Sequence, residues 1–386
     1  MEQTYYVGVK LMDDLDRILE KAGSSLRKLD AKKEQTTKKI EYVTKYVEEW
    51  LRVGCLSSKV KVLNFVDGMS NAGIYRDGDL GTATMVFSLF LDAAKSNPTK
   101  SFNLVFNDLD TERIAIFKAV CEELCIQKCE AGAPPNLTLF YSQGDINDFI
   151  SDLPQHDDVL VGYGNLTLFF IDPYDARTVD GTLLHDYLAD RYCELFFNWF
   201  SSDHIRNPDA DEIKKRFNGI NIPAGRDAAD FIAQYLAGPQ KSYFSFPFRN
   251  SNNAEIYQII FITPHKKGLE KIKEALWSTF SGKEYHRNSR TDYYQTSMLD
   301  FDEGKDFLKE SYGSMVQGEI IGEFEERDYR YSEIELFVLR RSMLGSGDVI
   351  KHVIKPLVEQ GFIIKNNKKG KQSYKNDTYR FVGKEK

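Results

Sequence analysis

No stretch of this sequence approaches the 18 or more uncharged apolar residues a membrane-crossing helix needs. Its densest apolar run, Leu166 to Ile171, is only the length of a strand. That argues against a membrane role, and no apolar leader follows Met1. Cysteine is scarce and odd in number, five in all, set among ordinary helix and strand patterns. This argues against a disulfide framework and points to a reducing, cytoplasmic setting. The six histidines form neither HExxH nor a repeated ligand spacing, so no zinc hydrolase is expected. A G-x-S-x-G elbow, a Walker A loop and a GxGxxG turn are all missing, which disfavours serine nucleophile chemistry and a phosphate-gripping turn. Cys121, Cys125 and Cys129 recur every four residues, a drifting stripe on a helix, and read as small buried hydrophobes rather than zinc or cluster ligands. No metal site is expected.

What is present is a globular composition. The chain has 386 residues, 42% of them hydrophobic and 28% charged, with 26 Phe and 21 Tyr, enough apolar area for two or three compact units. The formal charge of −7 argues against a protein that coats nucleic acid without specificity. The charge is unevenly spread, however. Residues 331–386 hold 12 Lys plus Arg against 6 Asp plus Glu, a net of +6, which leaves −13 on residues 1–330.

Residues 11 to 52 carry apolar positions at helical spacing, Ile40, Val43, Val47 and Leu51, with Tyr42, Tyr46 and Trp50 on a neighbouring stripe. The other face of this amphipathic helix bears Lys32, Lys33, Lys38, Lys39 and Lys45, either a solvated surface or one that meets phosphate. From Lys59 the pattern changes to Val60, Val62, Leu63, Phe65 and Val66, then Asp67-Gly68-Met69-Ser70-Asn71-Ala72-Gly73, a buried strand running into a glycine-bearing turn. The plan repeats at Phe102–Phe106 before Asn107-Asp108, at Leu137–Tyr141 before Gly144-Asp145, and at Leu166–Ile171 before Asp172-Pro173. This predicts an α/β fold with a Rossmann-like parallel sheet. Further strands are expected at Leu195–Phe200 and Ile256–Ile262, with helices inserted over about residues 203–240. The expected units are an N-terminal helical region over 1–58, a sheet domain over 59–280, a linker with some helix over 281–330 and a C-terminal unit over 331–386. That last unit reads helix, turn, helix and β-hairpin, a winged helix whose wing tip Asn366–Lys371 offers Lys368, Lys369 and Lys371 to phosphates, or else a protein-docking version of the same plan.

In open parallel sheets ligands lie at the carboxyl ends of the strands, where Asp67, Asp108, Asp145 and Asp172 would converge. A single strand-terminal Asp is usually a cap or turn residue; four in register point to a site. Gly68 and Gly73 would let backbone approach a ligand without phosphate, which suits the amino-acid end of S-adenosylmethionine. Asp108, with Asp110 as its competitor, would accept hydrogen bonds from ribose hydroxyls, and Asp145 would stand near the adenine amine beside Ile146 or Phe149. Asp172-Pro173-Tyr174 would take the acceptor, the acid receiving a hydrogen bond from the target amine and the ring stacking on the target base. A Mg²⁺ nuclease could also use acids such as Asp145 and Asp172, but the glycine turn would then have no purpose.

The stretch Glu34-Gln35-Thr36 through Lys39, Tyr42, Tyr46 and Trp50, then Val66-Asp67-Gly68 with Gly73, Tyr75, Asp77 and Gly78, resembles the three-Cys-motif partner protein family, TcmP. Phe170-Ile171-Asp172-Pro173-Tyr174, Asn198 with Arg206, and Gly268-Leu269 through Lys273, Ala275 and Trp277 look like that family's downstream motifs, so the likeness covers about residues 30 to 280. The resemblance implies an S-adenosylmethionine-dependent methyltransferase of Rossmann type, acting on a base amino group of DNA or RNA. It also implies a radical-type iron–sulfur partner that carries the three cysteines. Carried over, Asp67, Gly68 and Gly73 line the methionine end, Asp108 the ribose, Asp145 the adenine, and Asp172 to Tyr174 the acceptor; the residues expected toward nucleic acid, Lys39, Lys368, Lys369 and Lys371, come from the basic helix face and wing instead. The turn reads Met69-Ser70-Asn71-Ala72-Gly73 where the family favours Phe-Ala-Gly-Pro-Gly. That departure motivates the alternative, a methyltransferase-like module without activity that binds nucleic acid or protein in a mobile-element or phage-defence system.

Overall fold

Each apolar run closed by an acid becomes a strand, and each is followed by a helix that returns the chain to the amino edge of the sheet. The computed structural model describes residues 11–129, 132–206, 211–223, 227–249, 255–282, 285–286, 301–366 and 374–382. The chain opens with α1 (Leu15–Lys21) and α2 (Glu34–Leu56). The single helix expected over 11–52 is thus two helices, because Gly23 turns the chain at a φ of +61° where a side chain would be strained. Then come β1 (Val62–Asp67), α3 (Thr82–Ser96), β2 (Ser101–Asp108), α4 (Thr111–Lys128), β3 (Leu137–Gln143), α5 (Ile146–Asp152), the short α6 (Asp157–Leu160) and β4 (Asn165–Ile171). The second half of the sheet follows with α7 (Gly181–Leu188), β5 (Glu194–Trp199), the inserted helices α8 (Ser201–Arg206), α9 (Asp211–Arg216) and α10 (Asp227–Ala237), then β6 (Ser242–Arg249), β7 (Glu255–Thr263), α11 (Lys266–Phe280) and β8 (Tyr285–His286).

The sheet order is β3-β2-β1-β4-β5-β7-β6-β8. Strands β1 to β5 are mutually parallel, and β7 runs antiparallel to both β5 and β6. This is the Rossmann-like sheet of methyltransferase folds, with its topological switch point between β1 and β4, where the connections diverge to opposite sides and a cleft opens at the carboxyl edge. One face packs on α2, α3, α4 and α11 through Tyr42, Tyr46, Phe65, Phe90 and Phe117. The opposite face packs on α5, α7 and α10 through Leu184, Trp199 and Ile232. Cys121 and Cys129 are buried in the first of these cores.

Strand β6 has no counterpart in the sequence reading, because Pro247 falls inside it and reads as a breaker. Among the described residues β8 pairs with β6 at Phe248 and Arg249, beyond the proline.

The remaining chain forms α12 (Phe301–Glu323), β9 (Asp328–Arg330), α13 (Tyr331–Arg341), a π-turn at Ile350–Ile354 running into α14 (Lys355–Glu359), and the hairpin β10 (Ile363–Asn366) and β11 (Thr378–Phe381). Within the segment read as a linker with some helix, 281–330, residues Phe301–Glu323 form a 23-residue helix. Val316 and Ile320 on it are buried in the same core as Val338, Val353, Leu357 and Phe381, while the charged remainder that hid the pattern faces outward. The hairpin gains a third strand, in the order β10-β11-β9. Docking onto the sheet domain is specific. Lys266 pairs with Glu335 at 2.7 Å, Trp277 Nε1 donates to the Met343 carbonyl at 2.7 Å, and the buried Lys273 ammonium donates to the Ser342 carbonyl. Among the described residues no helix is long and apolar enough to cross a membrane.

Candidate active site

The four strand-terminal acids do not share one fate. Asp67 ends β1 and is 1% exposed; one of its oxygens accepts the Met69 N–H at 3.0 Å. Burial pushes its carboxyl well above the usual range, the nearby Asp172 and Asp108 push further, and the Met69 N–H and Lys39 act the other way. Asp172 follows β4. The register that sets Ile171 beside Phe197 brings Asp172 next to Asn198 on β5. Asn198 Nδ2 donates to Asp172 Oδ1 at 2.6 Å, and the Lys39 ammonium donates to Asp172 Oδ2. Lys39 itself is 9% exposed, so it does not present a phosphate-facing or solvated surface: its charge is spent on Asp172, 133 residues away. Three other lysines of that face are also paired, Lys38 and Lys45 with Glu41 and Lys32 with Asp79, while Lys33 is exposed.

Asp108 faces the turn. Its Oδ2 accepts the Asn71 N–H and its Oδ1 the Asp110 N–H, both at 2.9 Å. Asp110 is the N-cap of α4, accepting from Glu112 and Arg113 N–H groups, and it pairs with Lys28 at 2.9 Å, which removes it as competitor for a ribose. Asp145 is exposed and caps α5 by accepting the Asn147 N–H at 2.8 Å. It is not among the residues lining the cleft. Strand end β3 therefore supplies a cap where the sequence suggested a ligand contact.

The cleft at the switch point is lined by Asp67, Met69, Ser70, Asn71, Gly73 and Tyr75 from the turn after β1, by Gly81, Thr82 and Ala83 at the start of α3, and by Asp30, Phe170, Asp172 and Tyr174. Helix α3 opens into it without a side-chain cap, so its first N–H groups and the positive end of its dipole face the cleft. The glycines act differently from expectation. A Cβ on Gly73, whose φ is +69°, would lie 2.4 Å from both Phe117 and Thr84 Oγ1, and one on Gly68 would lie 2.5 Å from the tip of Ile146. Packing demands glycine at 73, where the φ is also left-handed, whereas at 68 only the movable tip of Ile146 stands in the way. The Gly73 carbonyl accepts from the Gly81 N–H and from Thr84 Oγ1, each at 2.7 Å, which clamps the turn onto α3.

A bridge of polar groups crosses the mouth. Asn71, in the left-handed region at φ +58°, donates from Nδ2 to Asp30 Oδ2 at 2.9 Å and to Tyr174 Oη at 3.3 Å. Arg113 donates to Tyr174 Oη at 2.5 Å and pairs with Asp30 at 3.5 Å. The Tyr174 hydroxyl is pushed up to about 12 by burial, against the pull of Arg113. Asp30 and Arg113 have no signal in the sequence, since neither lies in a local motif and the pair is 83 residues apart. Pro173 follows Asp172 directly and fixes the backbone between the acid and the ring. The wing lysines Lys368, Lys369 and Lys371 lie outside the described residues.

No family model matches the chain and no curated protein matches it, so the likeness to three-Cys-motif partner proteins stands on the motifs quoted above. Among solved structures, the chain is similar to a Legionella pneumophila protein of family model DUF519, at 11% identity over 62% of this chain and 91% of that one, with a TM-score of 0.35. It is also similar to the 16S rRNA (adenine(1408)-N(1))-methyltransferase of Catenulisporales acidiphilia, at 15% identity over 57% of this chain and 92% of that one, TM-score 0.29. A third is a dimethyladenosine transferase from Plasmodium falciparum, at 10% identity over 82% and 96%, TM-score 0.25. Likenesses this distant carry no argument about the site, and the fold assignment rests on the strand order and its switch point.

Proposed function

We propose that the chain is an S-adenosylmethionine-dependent methyltransferase of the three-Cys-motif partner type, acting on an amino group of a nucleic-acid base. One observation carries the reading. A single cleft at the switch point joins a buried carboxyl, Asp67, an uncapped helix N-terminus, α3, and a second acid, Asp172, held by Lys39 and Asn198. That donor set suits a zwitterionic amino-acid end, with Asp67 toward the ammonium and the Thr82 and Ala83 N–H groups toward the carboxylate. Asp108 stands behind Asn71, on the side where ribose hydroxyls would lie. The cleft has a cavity volume of about 60 Å³, and the Asn71–Tyr174 hydrogen bond joins two of its lining residues.

The cofactor supplies an electrophilic methyl group; the acceptor nitrogen takes it and releases one proton to water. This chain's part is placement. Asp172 accepts a hydrogen bond from the target amine, Tyr174 stacks on the base, and the two hold the nitrogen in line at near-attack distance. The C-terminal helices and three-stranded hairpin are proposed to act as a winged helix whose tip, 366–371, meets phosphates. An iron–sulfur protein bearing the three cysteines is the proposed partner.

The test is calorimetric titration with S-adenosylmethionine alongside transfer of labelled methyl groups to DNA and RNA. Binding with transfer supports the enzyme. Nucleic-acid binding without either favours the second reading, an inactive module, which the closed Asn71–Tyr174–Arg113–Asp30 bridge supports.

A further inference from the structure

Asn198 is 3% exposed, and its Oδ1 has no hydrogen-bond partner. Its orientation is fixed: Nδ2 must face the Asp172 carboxylate, since the reverse placement would set two acceptors against each other. The carbonyl, on the same amide, is therefore one amide's width beyond an acid that lines the cleft. Leaving a buried acceptor unpaired is costly, so such a group calls for an explanation. Trp199 Nε1 and Ser201 Oγ nearby are also unpaired, but Asn198 Oδ1 is the one carried by an amide bound to Asp172. Glu194, on the same strand, accepts from Tyr46 at 2.7 Å and Thr263 at 2.5 Å, and both oxygens of Asp172 are engaged.

A carboxylate offers about four acceptor positions. Asn198 and Lys39 fill two, which leaves capacity for one more donor, and the Asn198 carbonyl offers a second place close by. An amino group carries two N–H donors on one nitrogen. We propose that Asn198 is the specificity-determining residue of the acceptor site: Asp172 and Asn198 Oδ1 receive the two N–H bonds of an exocyclic base amine, and Lys39 is a positioning residue that holds the Asp172 carboxyl in place. The pair selects an –NH₂ acceptor, as on adenine or cytosine, against a keto oxygen at the same position, because a carbonyl would bring an acceptor against two acceptors. With both N–H groups directed into the protein, the nitrogen presents its remaining face to the methyl donor. Tyr174, directly after Pro173, supplies the flat surface for the base ring. This inference rests on the methyl-transfer reading given above.

The experiment measures labelled methyl transfer by the full chain to poly(A) and poly(C), and competition against that transfer by the keto polymers poly(I) and poly(U), which carry no amine to methylate; S-adenosylmethionine affinity is determined separately by calorimetry. The wild type should bind an amino-bearing polymer in preference to its keto counterpart by roughly 10- to 100-fold, as a bidentate base contact does. Asn198→Leu should lower kcat on the amino polymer by roughly 100-fold. It should compress the amino-to-keto binding ratio and leave cofactor affinity within about twofold, since Asn198 is not placed at the cofactor. A merely structural role would move the melting temperature without moving that ratio. If Asn198→Leu does not fold, Asn198→Ser, which keeps an oxygen acceptor, should retain part of the preference. An undiminished amino-to-keto binding ratio in the variants overturns the inference alone. Absence of cofactor binding and of transfer by the wild type overturns the methyltransferase reading itself.

Discussion

The β1–β4–β5 half of the carboxyl edge and its β2–β3 half carry the same kind of residue to opposite ends. On the first side Asp67 and Asp172 lie in a cleft with hydrogen-bonding capacity left over; on the second, Asp110 and Asp145 are consumed as helix caps. The difference is one of distance along the chain. Helix α4 begins three residues after β2 and α5 three residues after β3, so the acid between is close enough to the first turn to accept its N–H groups. After β1 the chain runs 14 residues before α3, and after β4 nine before α7. The strand-terminal acid is then too far from a helix start to cap it, and Asp180 caps α7 instead. Asp108 stands between the two cases, its carboxylate bound to the turn that builds the cleft.

The largest effect should come from the cleft side. Asp172→Asn removes both the acceptor's hydrogen-bond partner and the counter-charge of the nearly buried Lys39. We expect transfer to fall 10²- to 10⁴-fold, by analogy with loss of a positioned acid or base, and stability to drop by about 3 kcal/mol in a urea melt. The double variant Lys39→Met, Asp172→Asn should recover much of the stability and none of the transfer. Recovery of transfer would mean that Asp172 is only a structural partner, like the acids across the sheet.

Next in size is a pH effect at Asp67. Its raised carboxyl is neutral in the native protein over the window between the ordinary carboxylate value and the raised one. Its stability contribution is therefore full below the unfolded value and is lost as pH rises through the folded one. A cationic ligand requires the ionised form, so S-adenosylmethionine affinity should weaken as pH falls through the same window, by up to about tenfold per pH unit. Calorimetry in buffers of different ionisation enthalpy should register proton release on binding. Affinity that stays flat across the window would remove Asp67 from the ammonium site and erase much of the contrast between the two sides.

The smallest effect belongs to the capping side. Asp110→Ala should cost about 1 kcal/mol of stability, the usual loss for an N-cap, and leave cofactor affinity unchanged. A weakened affinity would mean that Asp110 reaches the ribose despite its bonds to α4 and Lys28, and that the division by helix distance is too sharp.

Much of the fold was legible in advance because parallel strands buried on both faces are written as short apolar runs, and helices as 3.6-residue periods. Strands β1, β2, β4 and β5 follow that rule, while β3, at the sheet edge, keeps the apolar run with alternate residues exposed. Strand β6 escaped it because Pro247 interrupts its apolar run. Helix α12 was legible only as some helix within a linker, because two fully buried positions, Val316 and Ile320, are a thin signal among 23 mostly charged or polar residues. In the site, Asp67, Asp172 and Tyr174 were legible from their place after apolar runs. The glycines carry a further constraint the sequence did not show: a Cβ on Gly73 would collide with Phe117 and Thr84.

By itself, the sequence determined which segments are strands, that acids and glycines gather at their carboxyl ends, and that the basic charge is concentrated in the last unit, because composition and periodicity are local properties. The tertiary structure alone decided which acids remain available, that Lys39 neutralises Asp172 instead of meeting solvent, and that Asn198 carries a buried carbonyl with no partner. Those outcomes depend on contacts between residues 26 to 133 positions apart. Strand register and helix packing bring such pairs together, and no local pattern in the chain encodes them.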